Sequence, residues 1–141
     1  MVLTRSDLLA LLIPGKVFFI KSDRSPDIAH YFVVVNANPD EIKPIILVMA
    51  TSQVEKRRNY VRLAHLSSET LVYANSDTCE FLRVDSVFDC NSIYDTTFER
   101  LLEHLNDGGR TVGDVDREFL TKLRHGVRVS KKVSGQKKGL V

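Results

Sequence analysis

The feature that most constrains this sequence is a series of short apolar runs that are separated by turns. Three of these runs, at residues 16–20, 30–36 and 45–51, are rich in β-branched and aromatic side chains, and a fourth follows at 69–74. Such a composition favours β-strands. The segments between the runs are polar or carry turn-forming residues and show no helical pattern. Short strands joined by short turns predict an antiparallel barrel or a strongly curved sheet.

The predicted strands differ in their expected burial. The run at 30–36, His-Tyr-Phe-Val-Val-Val-Asn, is almost continuously apolar, which predicts a strand that is buried on both faces or curled inside a barrel. Residues 59–66 alternate only weakly and predict an edge strand. Residues 79–89 predict a further strand pair that breaks near Asp85.

The last third of the chain has helical periodicity instead. Four apolar residues recur at i, i+3, i+4 and i+7 and define one helical face: Phe98, Leu101, Leu102 and Leu105. Thr96 and Glu99 have the spacing of a capping box at the start of this helix. A second helix is predicted over 114–125, with Asp114 as its cap and Gly126 as its stop. The expected fold class is therefore mainly β with helices (α+β), a small antiparallel barrel with C-terminal helices.

Size and charge indicate one globular domain with a basic tail. The 141 residues are 43% apolar and 27% charged, which is ordinary globular composition, and one domain is expected over 1–130. Residues 131–141 contain four lysines and no acid, so they are predicted to form a disordered tail. No run approaches the ~20 apolar residues of a membrane span, and the N-terminus lacks the features of a signal peptide. A cytoplasmic protein without membrane contact is expected.

The sequence disfavours several kinds of site. Cys79 and Cys90 are too few for a disulfide framework and lack the spacing of a zinc site, so they are expected to be reduced packing residues. There is no Gly-rich phosphate loop, no spacing typical of metal ligands and no nucleophile elbow. Nucleotide hydrolases, metalloenzymes and esterases are thus disfavoured, and neither a metal nor another cofactor is expected.

Among the four histidines, His30 is the strongest candidate for acid–base chemistry. It begins a buried strand directly after a polar loop, so its ring is expected to be held rigidly and to reach solvent. Imidazole titrates near neutral pH without help from its surroundings. Two interpretations stay open for this residue: a satisfied polar end-cap of the strand, or a general acid or base.

Polar and basic residues follow the third predicted strand. Thr51, Ser52 and Gln53 stand at its end, where hydroxyl and amide groups either cap loose backbone groups or meet a ligand. A run of three cations comes next: Lys56, Arg57 and Arg58. Such a run is usually a solvated surface, but beside a hydroxyl cluster it is able to hold a phosphate chain.

In the order and type of its segments, the chain from Gly15 to Leu123 resembles the MazF/PemK family of toxin endoribonucleases. Three short matches carry the resemblance: Gly15-Lys16-Val17 at the first strand, Thr51-Ser52 at the end of the third, and Asp85-Ser86-Val87 further on. The resemblance implies a small SH3-like barrel with attached helices that acts as a homodimer. It also implies a toxin of a toxin–antitoxin system, which cleaves single-stranded RNA without a metal, leaves a 2′,3′-cyclic phosphate, and is blocked by an antitoxin protein.

One departure from the family pattern concerns catalysis. The second strand of family members typically starts with Arg-Pro, and that arginine works in catalysis, whereas here the strand starts with His30 and Tyr31. Either His30 has taken over the role of the arginine, or the activity is lost or changed. The expected catalytic residues are His30, Thr51 and Ser52, and the expected RNA-binding residues are Arg24, Gln53, Lys56, Arg57 and Arg58. In this hypothesis the imidazole moves protons and the two hydroxyls bond a non-bridging phosphate oxygen.

A different class of function stays open beside the nuclease. The same barrel architecture includes non-enzymatic modules that grip a protein or nucleic-acid target, such as CcdB-like inhibitors, and regulators of mobile elements. Fold alone does not separate these functions. The missing arginine favours a binding module, whereas the hydroxyl cluster and the basic run favour the nuclease.

Overall fold

The computed structural model of the protein describes residues 2–141. Seven strands form within this range: β1 (Lys16–Ser22), β2 (Ser25–Val34), β3 (Ile45–Thr51), β4 (Leu71–Ala74), β5 (Ser86–Asp89), β6 (Tyr94–Thr96) and β7 (Arg110–Asp114). The helices there are α1 (Arg5–Leu11), α2 (Val54–Leu63), α3 (Phe98–Asn106), α4 (Arg117–Val129) and α5 (Gly135–Lys138), and a 3₁₀ turn covers Ser68–Thr70. The fold class is α+β, with more helix than the mainly β chain that the sequence predicts.

The strands form one curved antiparallel sheet, a half-barrel. Their order is β4-β5-β3-β2-β1-β7, and β6 pairs with the first half of β3. The last two residues of β3 pair with β5, so this one strand joins the two parts of the sheet. Every pairing is antiparallel. The predicted antiparallel, strongly curved sheet with helices attached is confirmed at this level.

Both faces of the sheet are buried at its centre, which explains the continuous apolar runs of the strands there. On one face, Ile46 of β3 packs in the same core as Leu123 of α4. On the other face, its neighbours Ile45 and Leu47 pack in a core that includes Leu8 of α1 and the apolar side of α3. Successive residues of a strand point to opposite faces, so a strand between two helical layers needs apolar side chains throughout.

The two C-terminal helices form where the periodicity predicts them, but with different boundaries. The hydroxyl of Thr97 caps α3 and accepts a hydrogen bond from the Arg100 amide at 3.1 Å, whereas Thr96 ends β6 and is buried. The predicted capping box at Thr96 is therefore wrong. Asp116 caps α4, and Gly126 lies inside this helix rather than at its end.

Two short strands are not apparent in the sequence patterns. β6 has only three residues, and β7 pairs with β1 across a bulge between Val17 and Phe18. Gly113 of β7 has φ +133°, a conformation that favours glycine, and glycine obscures a strand pattern. Asp114, the predicted cap of the second helix, is the last residue of β7.

The edge strand predicted at 59–66 is wrong, because most of these residues belong to α2. Val61 is the one α2 side chain that is fully buried, so the helix has no apolar stripe that a sequence pattern would reveal. Its support is local instead. Glu55 lies in the first turn, where the helix dipole favours an acid, and its carboxylate pairs with Arg58 at 2.5 Å.

The strand pair predicted over 79–89 forms only in its last part, as β5. Residues 75–85 are a loop between β4 and β5. The Asn75 carbonyl organises its start by accepting hydrogen bonds from the amides of Thr78 and Cys79. Leu82 is buried in the main core, so the loop lies against the sheet rather than projecting from it.

The tail for which the sequence predicts disorder packs against the core instead. Val133 and Val141 are buried among the residues of the main core. The Leu140 carbonyl accepts a hydrogen bond from the Ala37 amide at 2.9 Å. The composition of the segment is polar and basic on average, and this average hides apolar residues at the few positions that face the core.

The two cysteines are free and buried, which confirms that they are packing residues. Burial raises the pKa of the Cys79 thiol to about 11. Burial also raises the pKa of the Cys90 thiol, whose side chain lies between the sheet and α4. Both thiols therefore stay protonated near neutral pH and are poor nucleophiles.

Candidate functional site

A cleft of about 200 Å³ opens at the end of the sheet where β3 finishes. Its walls come from the middle of β1 and β2, the end of β3, the start of β5 and the loop between β4 and β5. We call it the strand-end cleft, and the residues that line it are Phe19, Ala29, His30, Tyr31, Ala50, Ser52, Leu82, Arg83, Val84 and Ser86. The cleft brings together two of the three residues predicted for catalysis, His30 and Ser52.

Strand pairing gives the cleft an aromatic wall. Phe19 on β1 lies opposite Tyr31 on β2, so both side chains point to the same face of the sheet. The Tyr31 ring packs against Phe19, at 4.6 Å between ring centroids, and against Phe81 of the loop, at 4.9 Å. Because Tyr31 lines the cleft, this aromatic cluster borders any ligand group that enters it.

The two hydroxyl groups at the end of β3, those of Thr51 and Ser52, have different roles. Ser52 is exposed and lines the cleft. Thr51 does not line it, and its hydroxyl oxygen accepts a hydrogen bond from the Gln53 amide at 3.2 Å, which caps the turn into α2. Gln53 occupies the N-cap position of α2 but makes no capping hydrogen bond through its side chain. Of the polar groups at this strand end, Ser52 is the one presented to the cleft.

His30 stands at the edge of the cleft, within β2 rather than at its start, because the strand already begins at Ser25. The prediction that His30 begins the strand is therefore wrong. His30 lies opposite Ile20, which belongs to the core beneath α1 and α3. Because successive residues of a strand alternate between faces, the His30 side chain points to the same face of the sheet as Ile20 and to the opposite face from Tyr31. Its Nδ1 atom is buried and has no hydrogen-bond partner among residues 2–141. The residue as a whole is half-buried. One ring nitrogen thus lies within the protein.

Arg83 is the cleft residue that the sequence patterns miss. It is exposed in the loop between β4 and β5, and no carboxylate of the described chain lies within ion-pair distance of it. A guanidinium without an internal partner is available to a phosphate or carboxylate group. The one sequence signal for it was its position two residues before the matched segment Asp85-Ser86-Val87.

The strand-end cleft adjoins a second depression, which we call the Tyr73 groove. The two share Ser86, and the groove is lined by Val54, Arg58, Tyr73, Ala74, Asn75, Thr78, Asp85 and Ser86. The Arg58 guanidinium lies over the half-exposed Tyr73 ring, 5.3 Å from its centroid, and its Nε donates a hydrogen bond to the Tyr73 hydroxyl at 3.3 Å. This hydrogen bond and the Glu55 carboxylate raise the pKa of Arg58 above its usual value.

The other two cations of the basic run face a different pocket. Since each residue of a helix is rotated by ~100° from the last, Lys56 and Arg57 need not share a side of α2 with Arg58. They line a cavity of about 340 Å³ between α2, the turn after β5 and the C-terminal segment. We call it the basic pocket, and its residues are Lys56, Arg57, Tyr60, Asp89, Asn91, Ser92 and Lys132.

Arg24 lies apart from these sites. It sits at the tip of the hairpin between β1 and β2, with its guanidinium 5.7 Å from the centroid of the Tyr94 ring. It lines neither the strand-end cleft nor the Tyr73 groove nor the basic pocket. The sequence hypothesis of one RNA-binding set is thus divided among several places on the surface.

Comparison with protein-family models finds no match for this sequence, and comparison with curated proteins finds none either. Within residues 2–141, no group of three or more His, Cys, Asp and Glu side chains is placed to hold a metal ion. Over the same range, no helix combines the length and the apolar character that crossing a membrane requires. The functional assignment therefore depends on the geometry of the cleft, the groove and the pocket.

Proposed function

We propose that the protein binds single-stranded RNA along the strand-end cleft and the Tyr73 groove, and cleaves it in the cleft without a metal. In this proposal the half-barrel is an SH3-like barrel of the MazF/PemK type, and the protein is the toxin of a toxin–antitoxin pair. The observation that carries the proposal is that Ser52 and Arg83 line one cleft, with His30 at its edge, and that this cleft adjoins an aromatic and basic groove.

The binding part of the proposal is supported by alternating aromatic and cationic groups. Tyr31 in the cleft and Tyr73 in the groove provide rings on which unpaired bases stack, each contact contributing about 1–3 kcal/mol. Arg58 lies over the Tyr73 ring, Arg83 lines the same cleft as Tyr31, and both guanidinium groups suit the phosphates between the bases. A single strand is favoured over a duplex because stacking on a side chain needs an unpaired base.

The chemical part assigns a role to three polar residues of the cleft. The 2′-oxygen of a ribose attacks the adjacent phosphorus, the bond from phosphorus to the 5′-oxygen breaks, and a 2′,3′-cyclic phosphate and a 5′-hydroxyl result. His30 takes the proton from the 2′-hydroxyl and returns one to the leaving oxygen. Ser52 donates a hydrogen bond to a non-bridging oxygen, and the Arg83 guanidinium stabilises the additional negative charge of the phosphorane.

A second candidate function is RNA binding without cleavage. It is favoured by the placement of His30, whose ring turns toward the Ile20 face and buries its Nδ1 atom. A ring held in that way serves as a packed side chain of β2 rather than as a proton carrier. The stacking surfaces and the arginines would then hold RNA intact.

One incubation separates the two candidates. The purified chain is mixed with a labelled single-stranded RNA in EDTA, and the products are resolved by length and end group. The nuclease proposal expects fragments that end in a 2′,3′-cyclic phosphate. Intact RNA with raised fluorescence anisotropy supports the binding module. Intact RNA with unchanged anisotropy contradicts both.

A further inference from the structure

The basic pocket is built on a buried polar network whose members satisfy one another. The Asp89 carboxylate is 4% exposed. It accepts hydrogen bonds from the Arg57 guanidinium at 3.2 Å and from the backbone amide of Asn91 at 3.0 Å. The Asn91 side chain donates to the Thr70 hydroxyl and accepts from the Ser130 hydroxyl, both at 2.7 Å. The hydrogen-bond acceptors around the pocket are therefore already occupied by protein groups.

The hydrogen-bond donors that line the pocket, by contrast, have few partners within the protein. The ammonium groups of Lys56 and Lys132 have no carboxylate within ion-pair distance anywhere in residues 2–141. The Nε atom of Arg57 is buried and makes no hydrogen bond there. The pocket walls also include Tyr60 and Ser92, each with a hydroxyl. A concavity with unused donors and satisfied acceptors selects an anion.

The C-terminal segment completes this pocket. Ser130 reaches the Asn91 side chain, and the Lys132 amide in turn donates a hydrogen bond to the Ser130 hydroxyl at 3.1 Å. Lys132 is therefore held at the pocket by the same network that fixes Asp89. A cation on a docked segment loses less conformational freedom on binding a ligand than a cation on a loose tail.

We propose that the basic pocket binds the phosphate monoester of a nucleotide. Lys56, Lys132 and the free donors of Arg57 contact the phosphate oxygens, and the half-exposed ring of Tyr60 lies against the base. The volume of about 340 Å³ is at the small end of the range for ligand pockets, which suits one nucleotide unit. This inference does not depend on RNA cleavage in the strand-end cleft, which has no lining residue in common with the basic pocket.

Titrations followed by amide chemical shifts test the proposal, with inorganic phosphate, adenosine monophosphate and adenosine as probes. Adenosine monophosphate is expected to shift the amides of Tyr60, Asn91, Ser92 and Lys132 and to bind more tightly than inorganic phosphate. Adenosine alone is expected to bind at least about tenfold more weakly, because it brings no charge to the lysines. A 5′-phosphorylated dinucleotide that binds more tightly than its 5′-hydroxyl form identifies an RNA end as the source of the monoester, and equal binding of the two overturns that source.

A pair of variants locates the site. Lys56→Gln combined with Lys132→Gln is expected to weaken adenosine monophosphate binding about tenfold. Lys131→Gln is the matched control, because Lys131 is exposed next to Lys132 but does not line the pocket. Thermal melting checks that the variants fold. The proposal is overturned if these amides do not shift with adenosine monophosphate, if adenosine binds as tightly, or if the control loses as much affinity as the double variant.

Discussion

The strand-end cleft and the basic pocket are both cationic, but they differ in how their polar groups are held. In the basic pocket, Asp89 and Asn91 are locked into a network that reaches Thr70 and Ser130. In the cleft, Ser52 and Arg83 make no side-chain hydrogen bond within residues 2–141 and stand at the end of a strand and in a loop.

Because of this difference, substitutions in the network are expected to change stability, and substitutions in the cleft are expected to change RNA cleavage. Residues of the network are expected to determine whether the protein folds, because removing one leaves a buried partner unsatisfied. Ser52 and Arg83 of the cleft are expected to determine what happens to a ligand, because both are exposed and removing either leaves no buried group without its partner. Each prediction below tests one side of this comparison.

The largest expected effect belongs to the cleft. His30→Ala should lower the rate of RNA cleavage by about 100- to 10,000-fold, the usual contribution of a general acid or base, while RNA binding is retained. Cleavage rates and fluorescence anisotropy measure the two quantities. His65→Asn is the control, since His65 is exposed with φ 55°, a conformation that asparagine tolerates. A cleavage rate that does not change in His30→Ala removes His30 from the mechanism.

The next effect concerns the network of the basic pocket. Arg57→Met leaves the Asp89 carboxylate buried without its cation, so the free energy of unfolding should fall by about 3 kcal/mol. Urea unfolding measures this change. Arg62→Met on the exposed side of the same helix should change stability by less than about 0.5 kcal/mol. Equal effects of the two substitutions would show that the ion pair does not matter to the fold.

A smaller effect is expected beneath that network, where α4 passes close to Cys90. A Cβ on Gly126 would lie 2.7 Å from the Cys90 sulfur and 3.0 Å from the Glu69 carbonyl oxygen. Gly126→Ala should therefore destabilise the protein by about 1–3 kcal/mol, although alanine is the better helix former. Gly135→Ala, with no atom within 4 Å of the added carbon, is the control and should not destabilise. Unchanged stability of Gly126→Ala would contradict the close packing of α4 at this point.

The smallest expected effect is a difference between the alkylation rates of the two cysteines, one in each region. Cys79 belongs to the loop that borders the cleft, and burial raises its pKa to about 11, so about one thiol in a thousand is ionised at pH 8. Alkylation should therefore be slow in the folded protein and should speed up as pH rises toward 11. Cys79 should react faster than Cys90, which lies in the network region, when mass spectrometry follows both. Faster reaction of Cys90 would contradict the expectation that the network region opens less readily than the loop that borders the cleft.

The parts of the fold that the sequence predicts are those whose packing leaves a clear apolar pattern. β1 and β3 carry nearly continuous apolar runs because both of their faces pack on a core, and α3 carries an apolar stripe because one of its sides does. The sequence does not reveal α2 and β7, because polar contacts and a pairing across a bulge hold them and neither leaves a periodic pattern. It predicts disorder for the C-terminal segment because composition averages over the few buried residues that dock it.

The candidate site follows the same rule. Ser52 and His30 are predictable because Ser52 follows and His30 belongs to a strand that the sequence defines. Arg83 and Lys132 are not, since a loop and a docked terminal segment bring them to their sites through long-range packing. The basic run was visible in the sequence, but its division between two sites depends on the helix that carries it.

The most direct test of the central claim is the rate of RNA cleavage in EDTA for the wild-type chain, Arg83→Gln and Arg62→Gln. If the strand-end cleft performs the reaction, the wild type yields fragments that end in a cyclic phosphate. Arg83→Gln should then be slower by about 100-fold or more, because it removes the charge that stabilises the phosphorane, while Arg62→Gln keeps the full rate. A folded Arg83→Gln variant that cleaves RNA as fast as the wild type, or a wild-type chain that leaves RNA intact, contradicts the claim.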